Sequence, residues 1–196
     1  MSKRRINKVA VVGSGIMGSA IACHFANIGV EVLLLDIIPR ELTDKETAKG
    51  LTLEDKEVRN RLVNQALASS IKSKPAPLYN SAFAKRITTG NLKDDIAKVA
   101  QVDWIIEVVI ERLDIKQKVF ENLEKHRTPG TLITSNPSGI PIGFMSEGRS
   151  EDFQAHFCGT HFFNPPRYLK LFEIIPGPKT KPEVLEFFST YAEQFL

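Results

Sequence analysis

Residues 9–36, VAVVGSGIMGSAIACHFANIGVEVLLLD, decide the fold. Val9 to Gly13 is a short apolar run ending in glycine, Ile16 to Ile28 sets small and apolar residues at helical spacing, and Glu31 to Asp36 is a second apolar run. The order is strand, helix, strand. Both runs are nearly continuous in Val and Leu, as in parallel strands covered on both faces. Gly13, Ser14, Gly15, Ile16, Met17 and Gly18 form a G-x-G-x-x-G at the junction of the first strand and the helix. Gly13 permits the tight turn, Gly15 lets the backbone approach a pyrophosphate, and Gly18 allows the helix to pack closely on the strand. The helix N-terminus offers free N–H groups and the positive end of its dipole to the phosphates. Asp36 closes the second run about 20 residues beyond the first glycine, where an acid grips an adenosine ribose. Its carboxylate would repel a 2′-phosphate, so NAD is expected over NADP. Arg40 is the counter-argument, since it could pair with such a phosphate if it is not simply solvated.

Outward from this stretch the alternation continues with Trp104 to Val109, a helical segment from Asp114 to about Lys125, Thr131 to Ser135, Gly159 to Phe163, and Leu169 to Ile175. It predicts a doubly wound α/β domain of Rossmann type with a mostly parallel sheet. Glu54 to Ser73 interrupts the pattern with a stripe of Val58, Leu62, Val63, Ala66, Leu67 and Ile71, and with Lys56, Glu57, Arg59 and Arg61 toward the other side. Thr52 and Asp55 resemble a capping box, and Pro75 and Pro77 end the run. The spacing predicts one long helix, a turn and a shorter return around Asn80 to Lys85. This helical arm, about residues 41–85, comes after the second strand and is either a ligand-facing insertion or a solvated outer helix. Residues 1–181 form the expected nucleotide domain. Residues 182–196 are an amphipathic helix with no Gly or Pro stop, read as leading toward a further domain.

The chain has 196 residues, a formal net charge of +3, 42% hydrophobic and 25% charged residues. These proportions exclude a disordered tail, a collagen repeat and a disulfide scaffold. No apolar stretch reaches the ~18 residues of a bilayer span. Lys3, Arg4, Arg5 and Lys8 do not open a signal peptide, because Glu31 and Asp36 interrupt the apolar residues beyond them and no cleavage site appears. A cytoplasmic address is expected. Cys23 and Cys158, without CxxC spacing, read as reduced, buried thiols. The positive charges are scattered, so no nucleic-acid partner is expected, and no metal site.

His161 lies in GTHFFNPP and Glu173 in KLFEII, each inside an apolar, strand-like run, with prolines between that let the chain turn back. Such a pair can act as base and orienter, the carboxylate fixing the imidazole tautomer and supporting the imidazolium. A buried His satisfied by backbone and a Glu at a strand edge is the other reading of the spacing. His24, His126 and His156 have no comparable setting and read as structural or surface residues.

At these residues the chain resembles the N-terminal domain of the L-3-hydroxyacyl-CoA dehydrogenases, from about Asn7 to its end. The resemblance rests on the glycine loop, Asp36, Glu107-Val108-Val109-Ile110-Glu111 with Lys116, Thr134-Ser135-Asn136, and the H-F-F-N-P run with the Glu beyond it. It implies NAD-dependent, reversible oxidation of (S)-3-hydroxyacyl-CoA to 3-ketoacyl-CoA, as in fatty-acid β-oxidation. His161 would be the general base, Glu173 its support, Ser135 a partner of the substrate oxygen or nicotinamide, and Asn164 a residue holding the reacting groups in register. Val108, Glu111 and Lys116 would lie near the nicotinamide ribose, and arm Lys and Arg residues would meet the CoA phosphates. The chain departs from the family's S-N-T-S-S in reading Ser135-Asn136-Pro137-Ser138-Gly139. The family's all-helical second domain, which covers the acyl chain and builds a homodimer, is not in this sequence, so the fragment alone would be an incomplete enzyme or one piece of a multifunctional polypeptide. Two other readings stay open: an NAD-dependent dehydrogenase of a free hydroxy acid, like the gulonate and lens-crystallin enzymes, and a non-catalytic NAD-binding module.

Overall fold

A computed structural model describes residues 4–137 and 139–196, so Lys3 of the basic start and Ser138 of the divergent loop lie outside the described residues. Seven strands form one sheet: β1 (Lys8–Val12), β2 (Glu31–Asp36), β3 (Ile87–Asn91), β4 (Trp104–Glu107), β5 (Leu132–Ser135), β6 (Phe157–Phe162) and β7 (Phe172–Pro176). Their order is β3-β2-β1-β4-β5-β6-β7, with β7 alone antiparallel. This is the expected Rossmann-type sheet, and the strand order reverses beside β1, where open α/β sheets form their ligand crevice. Successive side chains of a strand point to opposite faces. Val9, Val11, Val32, Leu34, Trp104 and Ile106 therefore join one core, and Ala10, Val12, Leu33, Leu35 and Ile105 the other.

Helix α1 (Ile16–Asn27) and, from the arm, the helix that carries Val63, Leu67 and Ile71 pack on the first face. The arm contains α2 (Asp44–Ala48), α3 (Lys56–Arg59) and α4 (Arg61–Ile71), so the single long helix expected from the stripe is broken at Asn60. The Asn60 backbone leaves the helical region (φ −100°, ψ 9°), and its Oδ1 accepts a 2.8 Å hydrogen bond from Asn91 Nδ2. Arg59, expected on the outer side, is buried, because both oxygens of Asp94 accept from its guanidinium at 2.6 and 2.7 Å and Glu54 accepts at 2.9 Å. Arg61 donates to Glu46 and, at 2.9 Å, to the Glu41 carbonyl. A reciprocal capping box between Thr43 and Glu46 starts α2. Asp55 accepts from the backbone and hydroxyl of Thr52, and the return is a short 3-10 turn, Ser81–Arg86.

On the second face lie α5 (Leu113–His126), α6 (Ile142–Ser146) and α7 (Glu151–Ala155). The last helix, α8 (Pro182–Phe195), returns to the first face and buries Val184, Phe188 and Tyr191 against it. The Phe188 ring lies 4.7 Å from that of Trp104, whose indole N–H donates to Thr134 at 2.9 Å. Residues 182–196 thus share the core of the nucleotide domain. Cys23 and Cys158 are buried free thiols, pushed up to about 11 and about 12 by burial. Among the described residues no helix is long and apolar enough to cross a membrane.

His24 on α1 is buried, and its Nδ1 has no hydrogen-bond partner among the described residues. Burial pushes the imidazole down to about 4. Lys170 and Glu193 line the groove that His24 borders. With the folded value below the unfolded one near 6.5, the contribution of His24 is intact above that pH and is lost as acid drives protons onto the unfolded chain. Denaturation midpoints should fall between pH 6.5 and 4, by up to about 3 kcal/mol of stability, and His24→Leu should flatten that window. Asp94, held at about 2 chiefly by its hydrogen bond from Arg59, loses its contribution only below about pH 4, so the two effects separate. An unchanged slope in His24→Leu would refute the assignment.

Candidate active site

The glycine loop comes directly after β1, and its three glycines have different surroundings. Gly13 has φ +102°, and a Cβ would meet the Val108 carbonyl oxygen at 2.6 Å. A Cβ on Gly18 would fall 1.8 Å from the Gly13 carbonyl oxygen, which is the close packing of helix on turn. Gly15 faces open space, with nothing within 4 Å of its added Cβ. It is also the N-cap of α1, where no side chain caps the helix. An uncapped N-terminus beside an open backbone suits an anion. Ile16 is 80% exposed at this rim, while Met17 packs on the core.

Asp36 sits at the carboxyl end of β2, facing the same turn. Its Oδ2 accepts from the Ser14 N–H at 2.8 Å and from the Ser14 hydroxyl, and Oδ1 accepts from the Ile37 N–H at 2.7 Å. The carboxylate therefore fastens the glycine loop to β2. A carboxylate offers about four lone-pair directions, so one on Oδ1 remains for a ribose hydroxyl.

A buried ionic cluster lies at the ends of β4 and β5. Glu107 and Lys116 have fully buried side chains with Nζ 2.9 Å from Oε1. Glu107 also accepts from the Ser135 hydroxyl at 2.6 Å and the Val109 N–H at 2.6 Å. Burial pushes the Glu107 carboxyl up, while the Lys116 ammonium, Ser135 and the Val109 amide pull against it. Glu111 completes the cluster, with Oε2 3.1 Å from Lys116 and Oε1 accepting from the Gly139 and Ile140 amides at 3.0 and 3.1 Å. Ser135 and Lys116, both expected to meet the ligand, are enclosed in this structure, and each is bonded to a carboxylate of the cluster. Glu111, partly exposed, remains at the surface, and Val108 backs the Gly13 turn. Sequence reasoning gives Glu107 no role of its own, although an acid that ends the apolar run Trp104-Ile105-Ile106 is a signal for a partner beyond the strand.

His161 and Glu173 stand directly opposite each other in the antiparallel register of β6 and β7. The hairpin brings His161 Nδ1 to 2.7 Å from Glu173 Oε2, with side-chain exposures of 27% and 51%. With Nδ1–H donating to the carboxylate, Nε2 carries the free lone pair. The Phe163 ring lies 4.5 Å from the imidazole. Asn164, three residues on, borders an open groove of about 570 Å³ shared with Gly15, Ile16, Ser70, Lys74 and Pro75. The groove thus runs from the glycine loop, between α1 and α4, to the β6–β7 connection. Arg59 and Arg61 are spent within the arm, which leaves Lys74 as the arm cation on this groove. His156 is structural, its Nδ1 2.8 Å from the Asp152 carbonyl.

Comparison with known proteins agrees with this geometry. A probable 3-hydroxyacyl-CoA dehydrogenase of Bacillus subtilis is 54% identical over 193 residues, covering 98% of this chain and 24% of the relative. One of Deinococcus radiodurans is 46% identical over 192 residues, covering 98% of this chain and 51% of its own length. The chain therefore spans between a quarter and a half of these curated relatives. The crystal structure of 3-hydroxybutyryl-CoA dehydrogenase from Escherichia coli matches with a TM-score of 0.70 at 28% identity, over 97% of this chain and 37% of that one. Residues 8–195 match the family described as 3-hydroxyacyl-CoA dehydrogenase, NAD binding domain, and with the glycine loop, Asp36 and the His161–Glu173 hairpin in place the chain belongs to that family.

Proposed function

We propose that this domain serves the NAD-dependent, reversible oxidation of a (S)-3-hydroxyacyl-CoA thioester to the 3-ketoacyl-CoA. The observation that carries the reading is the 2.7 Å His161–Glu173 pair, whose strand β6 runs on into Asn164 and Pro165 at the edge of the groove that the glycine loop also lines. NAD, when bound, supplies the acceptor for the hydride leaving C3. The protein must take the hydroxyl proton in the same step, and His161 Nε2 is the unpaired base for it. Glu173 keeps the imidazole in the tautomer that leaves Nε2 free and offsets the positive charge it gains.

The uncapped N-terminus of α1 and the Gly15 backbone would hold the pyrophosphate, and the remaining lone pair of Asp36 the adenosine ribose. Glu111 would meet the nicotinamide ribose from the partly exposed face of its cluster. Asn164 would orient the reacting oxygen at the groove edge, and Lys74 would attract the nucleotide phosphates of CoA. The partly exposed His161 calls for a cover over the substrate, which we assign to the additional length of the relatives, the same part expected to build a homodimer.

The test is acetoacetyl-CoA-dependent oxidation of NADH, read by absorbance, beside a free 3-hydroxy acid assayed with NAD. Turnover of the CoA thioester with little of the free acid supports the proposal. Turnover of the free acid alone would replace the substrate class. NADH binding with no turnover, even when the domain is joined to the rest of a relative's length, would reduce the domain to a nucleotide-binding module.

A further inference from the structure

The loop that ends the arm is held from outside at three successive carbonyls. Arg167, on the connection between β6 and β7, donates from Nη1 to Ala76 O at 2.6 Å and to Leu78 O at 3.0 Å. The Tyr168 hydroxyl donates to Ala76 O at 3.0 Å. Between these, Pro77 O accepts from Asn27 Nδ2 at 2.8 Å, and Asn27 Oδ1 accepts from the Tyr79 N–H at 2.8 Å. The Arg167 guanidinium also lies over two rings, 4.1 Å from the centre of Tyr79 and 4.9 Å from that of Tyr168. Asn27 ends α1, so one short loop is tied both to the nucleotide helix and to the hairpin that carries His161.

This bonding is more than solubility requires. Tyr79 and Tyr168 are both exposed, and water could satisfy these carbonyls in a surface loop. What the bonds fix is position. Pro75 and Pro77 line the groove together with Asn164 and Pro165, which lie just ahead of Arg167 in the chain. The spacing of those two segments is set by a side chain that does not itself line the groove.

We propose that Arg167 is a positioning residue that clasps the arm to the His161 hairpin and so sets the grip of the groove on the CoA portion of the substrate. The proposal rests on the acyl-CoA reading above. A guanidinium can donate to two carbonyls while lying over two rings, and a lysine ammonium cannot reproduce that planar contact.

Arg167→Ala and Arg167→Lys are to be compared with the parent protein on acetoacetyl-CoA and on the truncated thioester acetoacetyl-N-acetylcysteamine. In both variants KM for the CoA thioester should rise about tenfold, the equivalent of one charge-assisted hydrogen bond, with kcat within about twofold. KM for the truncated thioester and the dissociation constant for NADH should stay unchanged, and amide exchange at residues 76–79 should quicken. A purely structural arginine would instead lower kcat for both substrates alike, through loss of folded protein. Equal effects on the two thioesters, restored behaviour in Arg167→Lys, or faster exchange with an unmoved KM ratio would each overturn the clasp. A parent protein inactive on both thioesters, also when joined to the rest of a relative's length, fails at the earlier step and sinks the acyl-CoA reading together with the clasp.

Discussion

His161→Ala is expected to lower kcat for acetoacetyl-CoA reduction by about 10² to 10⁴, the range over which a positioned acid or base contributes, while NADH affinity stays within about twofold. The separation has a structural cause. The imidazole sits on β6 with Glu173 across the hairpin, and the proposed nucleotide end is built from the β1–α1 turn and Asp36 of β2. Removing the ring takes away the group that gives a proton to the forming alkoxide, or takes it in the other direction, without touching the glycine turn. Glu173→Gln tests the second half of the pair. The amide oxygen can still accept from Nδ1, so the tautomer is kept and only the charge that supports the imidazolium is lost. Its kcat should therefore fall less than that of His161→Ala, by about tenfold to a hundredfold. The double variant should be hardly worse than His161→Ala, because a support has nothing to act on once the base is gone. Loss of NADH affinity in His161→Ala, or a double variant showing the full product of the two losses, would break the assignment.

How far the sequence alone reaches depends on whether a side chain's partner is local. The turn at Gly13 and the close packing at Gly18 could be read because each is set by backbone geometry within one turn, and the structure shows both. The His161–Glu173 pairing could be read because prolines between two apolar runs imply a return, and the observed register sets the two residues opposite. Strand β3 could not. Its sequence, Ile-Thr-Thr-Gly-Asn, lacks an apolar run, and it is a strand because the exposed edge of β2 offers it a ladder from Val32 to Asp36. The break at Asn60 and the burial of Arg59 likewise depend on Asn91 and Asp94, about thirty residues away. Helical periodicity sees only neighbours at three and four residues, so it extended one helix through the break and placed Arg59 outside. The Ser135 hydroxyl shows the same limit, since the carboxylate it donates to, Glu107, lies 28 residues away on the neighbouring strand.

That buried cluster carries the second large effect. Glu107→Ala should destabilise the domain by roughly 3 to 5 kcal/mol, because it strips the closest counter-charge from an enclosed ammonium and leaves the Ser135 hydroxyl and the Val109 amide without an acceptor. Glu111 remains 3.1 Å from Lys116, which puts the expected loss at the lower end of the range. The effect should also spread. Glu107 fixes the Val109 amide, Lys116 holds Glu111, and Glu111 holds the Gly139 and Ile140 amides, so one carboxylate sets both loops that leave β4 and β5 at the sheet's carboxyl edge. Val108, between those contacts, backs the Gly13 turn, so NADH affinity should fall together with stability. The discriminating comparison is the double variant Glu107→Leu with Lys116→Met, in which neither charge is left unpaired. A buried pair contributes little net stability over well-packed apolar side chains, whereas half a pair is costly. The double variant should therefore unfold at a urea concentration well above that of Glu107→Ala but short of the parent's, since the Ser135 hydroxyl and the Val109 amide still lack their acceptor, and it should still bind NADH weakly, because Glu111 has lost the ammonium that orients it. Recovery of both properties would show that the cluster only fills space. Recovery of neither would show that the charges are needed for the fold itself.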